Sequence, residues 1–324
     1  MRPLWKDIAL AAVLGILFPW LILDFGIALQ TGNSEQLGEL RPVETVVSEG
    51  GTPAIMTLRN GEERVSMKLE TYLVGVVCGE MPASFEEEAL KAQAVVARTY
   101  TLKAMTNGGK HGDGSLCADP GCCQAYVSEQ KYLDGGGTTE DLKKIQAAVA
   151  ETTSMVLTYE GELIEATYFS CSGGYTEDAI AVWGSDYPYL RAKESLGEEA
   201  AAYYEDTAFF TRQKLEQALD ITLGEDPRNW IGYTTYTAGG GINTIVIGGK
   251  EFPGTQIRKL LDLRSTAFTW SSRDGGIEIL TRGYGHRVGM SQYGADAMAA
   301  KGAGFEEILS YYYTGTELIS WAEN

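Results

Sequence analysis

The stretch that decides the fold is CGEMPASFEEEALKAQAVVAR, at residues 78–98. Within it, Pro82 ends any preceding helix, because the residue before a proline is pushed toward extended conformations. Ser84 and Glu87 have the spacing of a capping box, which marks the first turn of a new helix. The residues that follow include many Ala and neither Gly nor Pro, so the sequence predicts a helix over residues 84–105.

Glu80 is the one glutamate of this stretch that a helix start does not explain. The three at positions 86–88 lie at the positive end of the helix dipole, where carboxylates are favoured. Glu80 instead lies between the apolar run YLVGVVC (72–78) and Met81. Apolar neighbours disfavour the ionised form of a carboxyl group and raise its pKa toward the range needed to protonate a leaving group. Glu80 is therefore a candidate general acid, and the alternative is an ordinary surface glutamate.

Two basic residues of the predicted helix, Lys91 and Arg98, are candidate substrate contacts. They are seven positions apart, which places both on one face of the helix. Such a face can hold an anionic or acetylated substrate, or it can simply be exposed to solvent. The spacing alone leaves both alternatives open.

The composition excludes one class of function. The 324 residues include 26 Lys and Arg against 44 Asp and Glu, which gives a net charge of −18. Binding of nucleic acid requires a basic surface, so we expect no nucleic-acid partner. Hydrophobic residues make up 44% of the chain, which is enough for an ordinary globular core.

The first 29 residues (1–29) have the pattern of a membrane anchor. Residues 8–29 are apolar except for Asp24, and at 1.5 Å per residue this run spans ~33 Å, close to the hydrocarbon thickness of a bilayer. Arg2 and Lys6 precede the run, so the positive-inside rule predicts a single-pass protein of the cell membrane with its bulk outside the cytoplasm. A cleaved signal peptide is the alternative.

Residues 30–48 read as a polar linker, and residues 49–324 as the folded part. Strand patterns in this part form hairpins rather than alternating with helices, which predicts the α+β class. The hairpins lie at 54–69, 154–170 and 242–252, and the further helices at 139–151, 209–220, 255–261, 291–301 and 305–313. Residues 200–262, charged at first and then rich in Gly, are a candidate inserted subdomain.

One loop carries a candidate metal site. His111 opens the sequence HGDGSLCADPGCC, in which Cys117 and Cys123 follow at intervals of six residues, with Cys122 between them. One imidazole and two thiolates are a common zinc set, and Gly and Pro let a loop wrap around a tetrahedral ion. A disulfide of Cys117 with Cys122 or Cys123 is the alternative.

Two polar loops carry further candidate substrate contacts. One follows a predicted strand, and the other is GYGHRVGMSQYG, at residues 283–294. The candidates are Ser170, Thr176, His286, Ser291, Gln292 and Tyr293. Each has a structural alternative: a histidine packed in a tight glycine loop, a serine that caps the next helix, or a plain turn after the strand.

Four blocks of the sequence resemble the stage II sporulation protein D family. The family pattern is VV-x-x-E-M-P followed by E-A-L-K-A-Q-A-V-x-A-R-T-Y, which VVCGEMP and EALKAQAVVARTY match. The other blocks are YFSCSGGYTED with AVWGSDYPYL (168–190), GKEFPGTQIRKLLDLRSTAF (249–268), and the residues 282–318. One position departs from the pattern, because Arg287 stands where the family has a glycine.

The resemblance implies an activity. Members of this family are lytic transglycosylases that degrade peptidoglycan during engulfment in sporulation, cleaving between muramic acid and glucosamine. Carried over by position, the catalytic acid falls on Glu80 and the functionally important basic residues fall on Lys91 and Arg98. Proteins with similar blocks also act as amidase enhancers, so a glycan-binding enhancer without chemistry of its own is the alternative function.

The resemblance also implies a cofactor and partners. Some members carry zinc in the loop, which assigns His111, Cys117 and Cys123 as ligands of a structural ion beside Glu80, with an open or water-filled fourth position. The implied partners are peptidoglycan glycan strands, a peptidoglycan amidase and other membrane proteins of the engulfment machinery.

Overall fold

A long helix, α2 (Glu87–Thr106), lies at the centre of the computed structural model, which describes residues 55–60 and 63–321. Most residues of α2 are buried, among them Ala92, Ala94 and Ala97. Their small side chains let other helices and a strand pack around α2 on several sides. The Ala-rich sequence therefore forms a helix buried in the larger of two hydrophobic cores, rather than an amphipathic surface helix.

The apolar run at 72–78 forms α1 (Leu69–Glu80), a helix that the sequence pattern did not predict. Most of this run is buried against the larger core, so packing overrides the weak helix propensity of its Val residues. The helix ends two residues before Pro82, and the N–H of the C-cap residue Met81 donates to the Val77 carbonyl at 3.0 Å. Glu80 is therefore the last residue of α1.

The predicted capping box at the start of α2 is wrong. Glu86, not Ser84, is the N-cap residue, and no side chain caps the helix. Two contacts with distant parts of the chain hold its first turn. The Glu86 N–H donates to Asp296 Oδ1 at 2.7 Å, and the Phe305 N–H donates to Glu88 Oε2 at 2.8 Å. Tertiary contacts thus replace the local cap, and α2 begins at Glu87.

The other elements follow in chain order. The helices are α3 (Glu129–Asp134), α4 (Thr139–Glu151), α5 (Ala179–Trp183), α6 (Arg212–Leu219), α7 (Gly254–Leu260), α8 (Gln292–Ala299) and α9 (Phe305–Tyr312). The strands are β1 (Ile55–Asn60), β2 (Glu63–Lys68), β3 (Leu116–Cys117), β4 (Met155–Tyr159), β5 (Glu162–Leu163), β6 (Tyr168–Phe169), β7 (Gly174–Tyr175), β8 (Glu194–Ser195), β9 (Glu205–Thr211), β10 (Ile231–Tyr236), β11 (Ile242–Ile247), β12 (Lys250–Pro253), β13 (Phe268–Arg273), β14 (Gly276–Arg282), β15 (Met290–Ser291) and β16 (Glu317–Ser320).

The strands pair mainly as antiparallel hairpins, which confirms the predicted α+β class. The predicted hairpins are β1–β2, β4–β5 and β11–β12. Two of them turn at residue pairs with positive φ, Glu160 (52°) with Gly161 (84°) and Gly248 (59°) with Gly249 (79°). Such pairs form the two-residue turns whose twist matches that of antiparallel strands.

A second hydrophobic core lies between β9 and β14 in the chain. Two three-stranded sheets, β10–β11–β12 and β13–β14–β9, surround buried side chains such as Leu215, Trp230 and Ile247. The inserted subdomain at 200–262 stays a prediction. The second core also uses side chains beyond it, such as Phe268.

The helix predicted at 209–220 is shorter than expected. Its first three residues complete strand β9, in which Phe210 pairs with Ile277 of β14. Helix α6 then begins at Arg212 and is capped by Thr211, whose side chain accepts from the Lys214 N–H at 3.3 Å. Strand pairing with β14 therefore decides where the helix begins.

The predicted membrane location needs correction. Within the described part of the chain, no helix is both long enough and apolar enough to cross a bilayer. The predicted anchor (1–29) and linker (30–48) lie outside the described residues.

Candidate active site

Glu80 lies at a cleft with a volume of about 880 Å³. The end of α1 brings Glu80 to the cleft, and the start of α8 brings Gln292. The second core contributes Arg258 from α7. Trp183 and Tyr284 supply aromatic rings to the walls. The cleft therefore combines the carboxyl group of Glu80 with cationic and aromatic side chains from distant segments.

The half-buried carboxyl group of Glu80 is held by three donors. Its Oε1 accepts from the Ala125 N–H at 2.7 Å and from the Tyr168 hydroxyl at 3.1 Å, and its Oε2 lies 3.4 Å from Gln292 Nε2. Burial raises the pKa of Glu80 above its ordinary value, while these three hydrogen bonds act in the opposite direction. The net shift is upward, so a larger fraction of Glu80 stays protonated near neutral pH than for an exposed glutamate.

The Tyr168 hydroxyl faces two oxygen acceptors. Its oxygen is 3.1 Å from Glu80 Oε1 and also 3.1 Å from Gln124 Oε1. The Gln124 amide is oriented by Thr101, whose hydroxyl donates to the Ala97 carbonyl at 2.8 Å and so accepts from Gln124 Nε2 at 2.9 Å. Burial keeps the pKa of Tyr168 well above its ordinary value, so the hydroxyl keeps its proton. That single proton can point to only one acceptor at a time.

A cluster of four potential metal ligands lies beside this network. The ligand atoms of His111, Cys117, Cys122 and Cys123 are all within 4.8 Å of one another. His111 Nε2 is 3.5 Å from Cys123 Sγ and 3.9 Å from Cys122 Sγ, and these two sulfurs are 3.9 Å apart. The sequence predicts an open or water-filled fourth position, whereas the structure places Cys122 beside the other three residues as a possible fourth ligand. All five cysteines of the described residues are free, so no disulfide forms in the loop.

These distances fit a tetrahedral zinc ion. With Zn–S bonds of about 2.3 Å and Zn–N bonds of about 2.0 Å, the ligand atoms of such a site lie roughly 3.5–3.8 Å apart. Three thiolates and one imidazole are a donor set typical of closed, structural zinc sites. The residues present therefore fit zinc, with Cys122 as the ligand that the spacing of the sequence did not single out.

The cluster is directly connected to the Glu80 network through the chain. Cys123 belongs to the cluster. The side-chain oxygen of Gln124 can accept from the Tyr168 hydroxyl, and Ala125 donates its N–H to Glu80. Three consecutive residues thus carry a metal ligand, the second acceptor for Tyr168 and the shortest hydrogen bond to Glu80. Whatever fixes the position of Cys123 also fixes the surroundings of Glu80.

Comparison with known proteins identifies the family. The sequence model of the family described as Stage II sporulation protein matches residues 60–159. Stage II sporulation protein D of Bacillus subtilis (strain 168) is 41% identical over 271 residues, which cover 82% of this chain and 78% of that protein. The chain belongs to the stage II sporulation protein D family.

Two other relatives define the range of this family resemblance. Stage II sporulation protein D of Bacillus amyloliquefaciens is 39% identical over 88% of this chain and 84% of its own length. A protein named amidase enhancer from Bacillus subtilis (strain 168) is 30% identical over 77% of this chain but only 40% of its own length. The chain thus covers most of the two sporulation proteins and less than half of the enhancer.

In this member of the stage II sporulation protein D family, Arg98 does not reach the cleft. Its side chain is fully buried and donates to both carboxylate oxygens of Glu70, at 2.8 and 2.6 Å. It also donates to the carbonyls of Met155 and Val149, at 3.2 and 3.3 Å. Arg98 therefore ties α2 to α1 and to the junction of α4 with β4.

Lys91 also lies away from the cleft. Its ammonium group forms ion pairs with Glu88 at 2.8 Å and with Glu151 at 2.7 Å, and these partners raise its pKa. Lys91 and Arg98 do share a helix face, as the spacing predicts. That face packs on α4 and β4, so neither charge is open to a substrate.

Of the six other candidate contacts, three line the cleft: Ser170, His286 and Gln292. Burial lowers the pKa of His286 to about 4, and the nearby charges of Arg258 and Lys110 act in the same direction. The ring of His286 is therefore neutral near pH 7, and its Nδ1 accepts from the Val288 N–H at 3.1 Å. His286 can serve the cleft as a neutral polar ring, packed against Phe169 and Trp183.

The remaining three candidates have roles within the fold. Thr176 is buried and accepts from the Lys193 N–H at 2.8 Å. Ser291 is buried and caps α8 by accepting from the Gly294 N–H at 3.2 Å. The ring of Tyr293 packs edge-on against Phe85, with 4.9 Å between the ring centroids. For Ser291, the structure therefore agrees with the alternative given above, a serine that caps the next helix.

Arg287, which stands at a glycine position of the family pattern, joins the two cores. It adopts a positive φ of 66° and is almost fully buried. Its guanidinium forms an ion pair with Glu177 at 3.0 Å and donates to the Gly239 carbonyl at 2.8 Å. Glu177 in turn accepts from the Gly241 N–H at 3.0 Å. This network fixes the β10–β11 loop of the second core against the larger core.

The sequence did not single out several residues of the cleft. Tyr168, Gln124 and Arg258 carry no motif of their own, and each lies far along the chain from Glu80. Tyr168 and Arg258 do fall within blocks that match the family pattern, and this match is the sequence feature that could have identified them as site residues. Their convergence on Glu80 depends on the tertiary fold.

Proposed function

We propose that this protein is a lytic transglycosylase that cleaves the glycan strands of peptidoglycan between muramic acid and glucosamine. The observation that carries the proposal is the setting of Glu80, a half-buried carboxyl group of raised pKa at a large cleft. A single residue of this kind can act first as a general acid and then as a general base. The family of the chain supports the choice of substrate.

In the first step, protonated Glu80 donates its proton to the glycosidic oxygen, and the bond from that oxygen to C1 of the muramic acid breaks. The acetamido group of the substrate assists at C1, as in substrate-assisted glycosidases. Glu80 becomes a carboxylate as the leaving sugar takes the proton. The Tyr168 hydroxyl then turns from Gln124 to Glu80 and stabilises the new charge.

In the second step, the Glu80 carboxylate takes the proton of the C6 hydroxyl of the same muramic acid. The C6 oxygen forms a bond to C1, which gives the anhydro sugar and returns Glu80 to its protonated form. Tyr168 turns back to Gln124, so the hydrogen-bond network is satisfied at both stages. Tyr168 acts as a positioning residue for the carboxyl group and keeps its own proton throughout.

This mechanism needs one catalytic carboxyl group, and the cleft agrees with that requirement. Among the described residues, the only other carboxylate that lines it is Glu165. Glu165 is held in an ion pair with Lys103 at 3.1 Å, and Lys103 also donates to the Leu163 carbonyl at 2.8 Å. With its charge neutralised in this way, Glu165 is a poor partner for a two-carboxylate mechanism.

The four-residue cluster would hold a structural zinc ion. When bound, zinc supplies a fixed tetrahedral junction that cross-links the loop. His111, Cys117, Cys122 and Cys123 would hold the ion, and the chain leads from Cys123 directly to the donors around Glu80. Because four protein ligands leave no position for a substrate, the ion has no part in the chemistry.

We place this activity in sporulation, during engulfment, with peptidoglycan as the partner polymer. A second candidate function follows from the 30% identity with an amidase enhancer. In that case the cleft would bind glycan and stimulate an amidase without cleaving the strand itself. An amidase is a proposed partner under either function.

One assay separates the two functions. Purified protein is incubated with glycan strands, alone and together with a peptidoglycan amidase, and the products are identified by mass spectrometry. Anhydro-muramyl ends formed by the protein alone support the lytic transglycosylase. Faster release of peptides by the amidase without new glycan ends supports the enhancer and contradicts the enzyme.

A further inference from the structure

Arg258 is the cation that the second core contributes to the cleft. It lies in the last turn of α7, where it is half-buried and lines the same cleft as Glu80. Burial lowers its pKa somewhat, although an arginine stays charged under all ordinary conditions. A full positive charge therefore faces the cleft from α7, which packs in the second core, whereas Glu80 comes from α1 in the larger core.

Arg258 differs from most other arginines of the protein in having no acidic partner. Nine arginines in the described ranges form ion pairs with Asp or Glu: Arg64, Arg98, Arg191, Arg212, Arg228, Arg264, Arg273, Arg282 and Arg287. Within those ranges no carboxylate pairs with Arg258, even though the chain has a net charge of −18. A partly desolvated guanidinium without a counter-charge is costly for the fold, so it indicates a ligand with a negative charge.

The surroundings of Arg258 suit an anion. Burial, followed by the charges of Arg258 and Lys110, lowers the pKa of His286 to about 4, so its ring is neutral near pH 7 and does not compete with Arg258 for the anion. Lys110 lines the same cleft, and its ammonium group donates to the carbonyl of Cys122 rather than to a carboxylate. Trp183 and Tyr284, which also line the cleft, offer ring faces on which a sugar can pack.

We propose that Arg258 binds a carboxylate carried by the muramic acid residues of the glycan and thereby distinguishes peptidoglycan from glycans without carboxylates. This inference rests on the proposed function for the substrate class. A guanidinium binds a carboxylate through two parallel hydrogen bonds, which fixes orientation as well as charge. The carboxylate is either the lactyl group of a peptide-free strand or a group of an attached peptide.

The test is equilibrium binding to the full-length chain carrying Glu80→Gln, which prevents turnover during the titration. The ligands are peptide-free strands, the same strands with their lactyl groups converted to methyl amides, and strands that keep their peptides. If the lactyl group is the ligand, Arg258→Ala should weaken binding of the peptide-free strands roughly 10- to 100-fold, the range expected for a charged hydrogen-bonded pair, and if a peptide carboxylate is the ligand, the strands with peptides should show this loss instead. Binding of the methyl-amidated strands should change less than about twofold between the two proteins.

Lys259→Ala is the matched control, because Lys259 is the next residue of α7 and is exposed. It should leave all three affinities unchanged. Arg258→Lys should recover part of the lost affinity, since it restores the charge without the two parallel hydrogen bonds. A comparison of ligands within one variant does not depend on how much of that variant folds.

The strands with peptides assign the source of the carboxylate. An Arg258-dependent affinity for these strands assigns a peptide carboxylate, and its absence assigns the lactyl group. The inference is overturned if Arg258→Ala weakens all three ligands equally or changes none of them. Because the readout is binding, it can succeed for a protein that cleaves nothing, so its failure is distinct from failure of the proposed enzyme activity.

Discussion

Glu80 and Tyr168 are 88 residues apart in the chain, and their side chains meet with 3.1 Å between Glu80 Oε1 and the Tyr168 hydroxyl oxygen. The same hydroxyl is 3.1 Å from Gln124 Oε1. Glu80 therefore has a neighbour that can donate a hydrogen bond when the carboxyl group is ionised and turn away when it is protonated. This relationship lets one carboxyl group serve as both acid and base.

Tyr168→Phe should shift the pH profile of glycan cleavage. The hydrogen bond from Tyr168 lowers the pKa of Glu80, so its removal raises that pKa further. The first step needs protonated Glu80, and the activity limb that falls as pH rises should therefore move to higher pH. We also expect kcat to fall about tenfold, because the newly formed carboxylate loses a donor.

Tyr100→Phe is the control for this pH profile, since Tyr100 lines the cleft without a hydrogen bond to Glu80. It should leave the position of the limb unchanged. If Tyr168→Phe leaves the high-pH fall in activity at the same pH, or moves it to lower pH, the role given to the hydroxyl is contradicted.

Glu80→Gln should stabilise the fold at neutral pH. The native state holds the Glu80 proton more tightly than the unfolded chain, because burial raises the pKa above the ordinary 4.5. The contribution of Glu80 to the free energy of unfolding therefore falls as pH rises through and above 4.5, by about 1.4 kcal/mol for each unit of pKa shift. The uncharged Gln avoids this loss.

Denaturant unfolding of both proteins at several pH values measures the effect. The difference in unfolding free energy should be small below pH 4 and should grow in favour of Glu80→Gln toward pH 7. A difference that is constant with pH would mean that the carboxyl group has an ordinary pKa in the fold.

The metal cluster predicts one zinc ion per chain, bound through four side chains. Elemental analysis of protein purified without added metal should find roughly one equivalent, and Cys122→Ser should lose most of it. Removal of the ion by a chelator should lower the melting temperature, because binding of a structural ion contributes to folding. Cys78→Ser, outside the cluster, is the control and should keep the ion.

A site with three ligands and water would behave differently under the same analysis. In that case Cys122→Ser would retain zinc, while His111→Ala and Cys117→Ser would not. This outcome would restore the open fourth position and contradict the closed site.

Arg98→Met should destabilise the protein without altering its interaction with glycan. The substitution leaves Glu70 and two backbone carbonyls without their donor, which should cost about 3 kcal/mol of unfolding free energy. Glu70→Gln should have an effect of the same kind. KM for glycan, measured well below the melting temperature, should stay unchanged.

Lys91→Met is the comparison for the Arg98 variant, because its ion pairs are more exposed. Its cost should be about 0–1 kcal/mol. A several-fold rise in KM for either variant, with the stability intact, would indicate that the substituted residue does contact the substrate.

Local patterns in the sequence were enough to predict much of the fold. The hairpins turning at Glu160–Gly161 and Gly248–Gly249 follow from turn chemistry, and α4 has the bounds predicted for it, 139–151. Helix α1 was not predicted, because it is buried on most sides and so lacks an amphipathic pattern. A run of Val and Leu of this length does not distinguish a strand from a buried helix.

The candidate site was predictable only where neighbours in sequence form it. The environment of Glu80 follows from its apolar flanks, and three of the four metal-cluster residues follow from the loop spacing. The burial of Arg98 does not follow from its spacing with Lys91, because a helical period shows which residues share a face but not what packs against that face. Tyr168 and Arg258 reach the cleft through contacts distant in sequence, which no local pattern encodes.

The role of Glu80 as the catalytic acid is tested by cleavage of purified glycan strands by Glu80→Gln beside the unchanged protein. Anhydro-muramyl products should fall by ~10²–10⁴-fold while binding of the strands persists, because the amide cannot donate and recover a proton. Glu87→Gln, an exposed neighbour at the start of α2, should cleave normally. Normal formation of anhydro-muramyl ends by Glu80→Gln would show that another group is the acid and would contradict the role of Glu80.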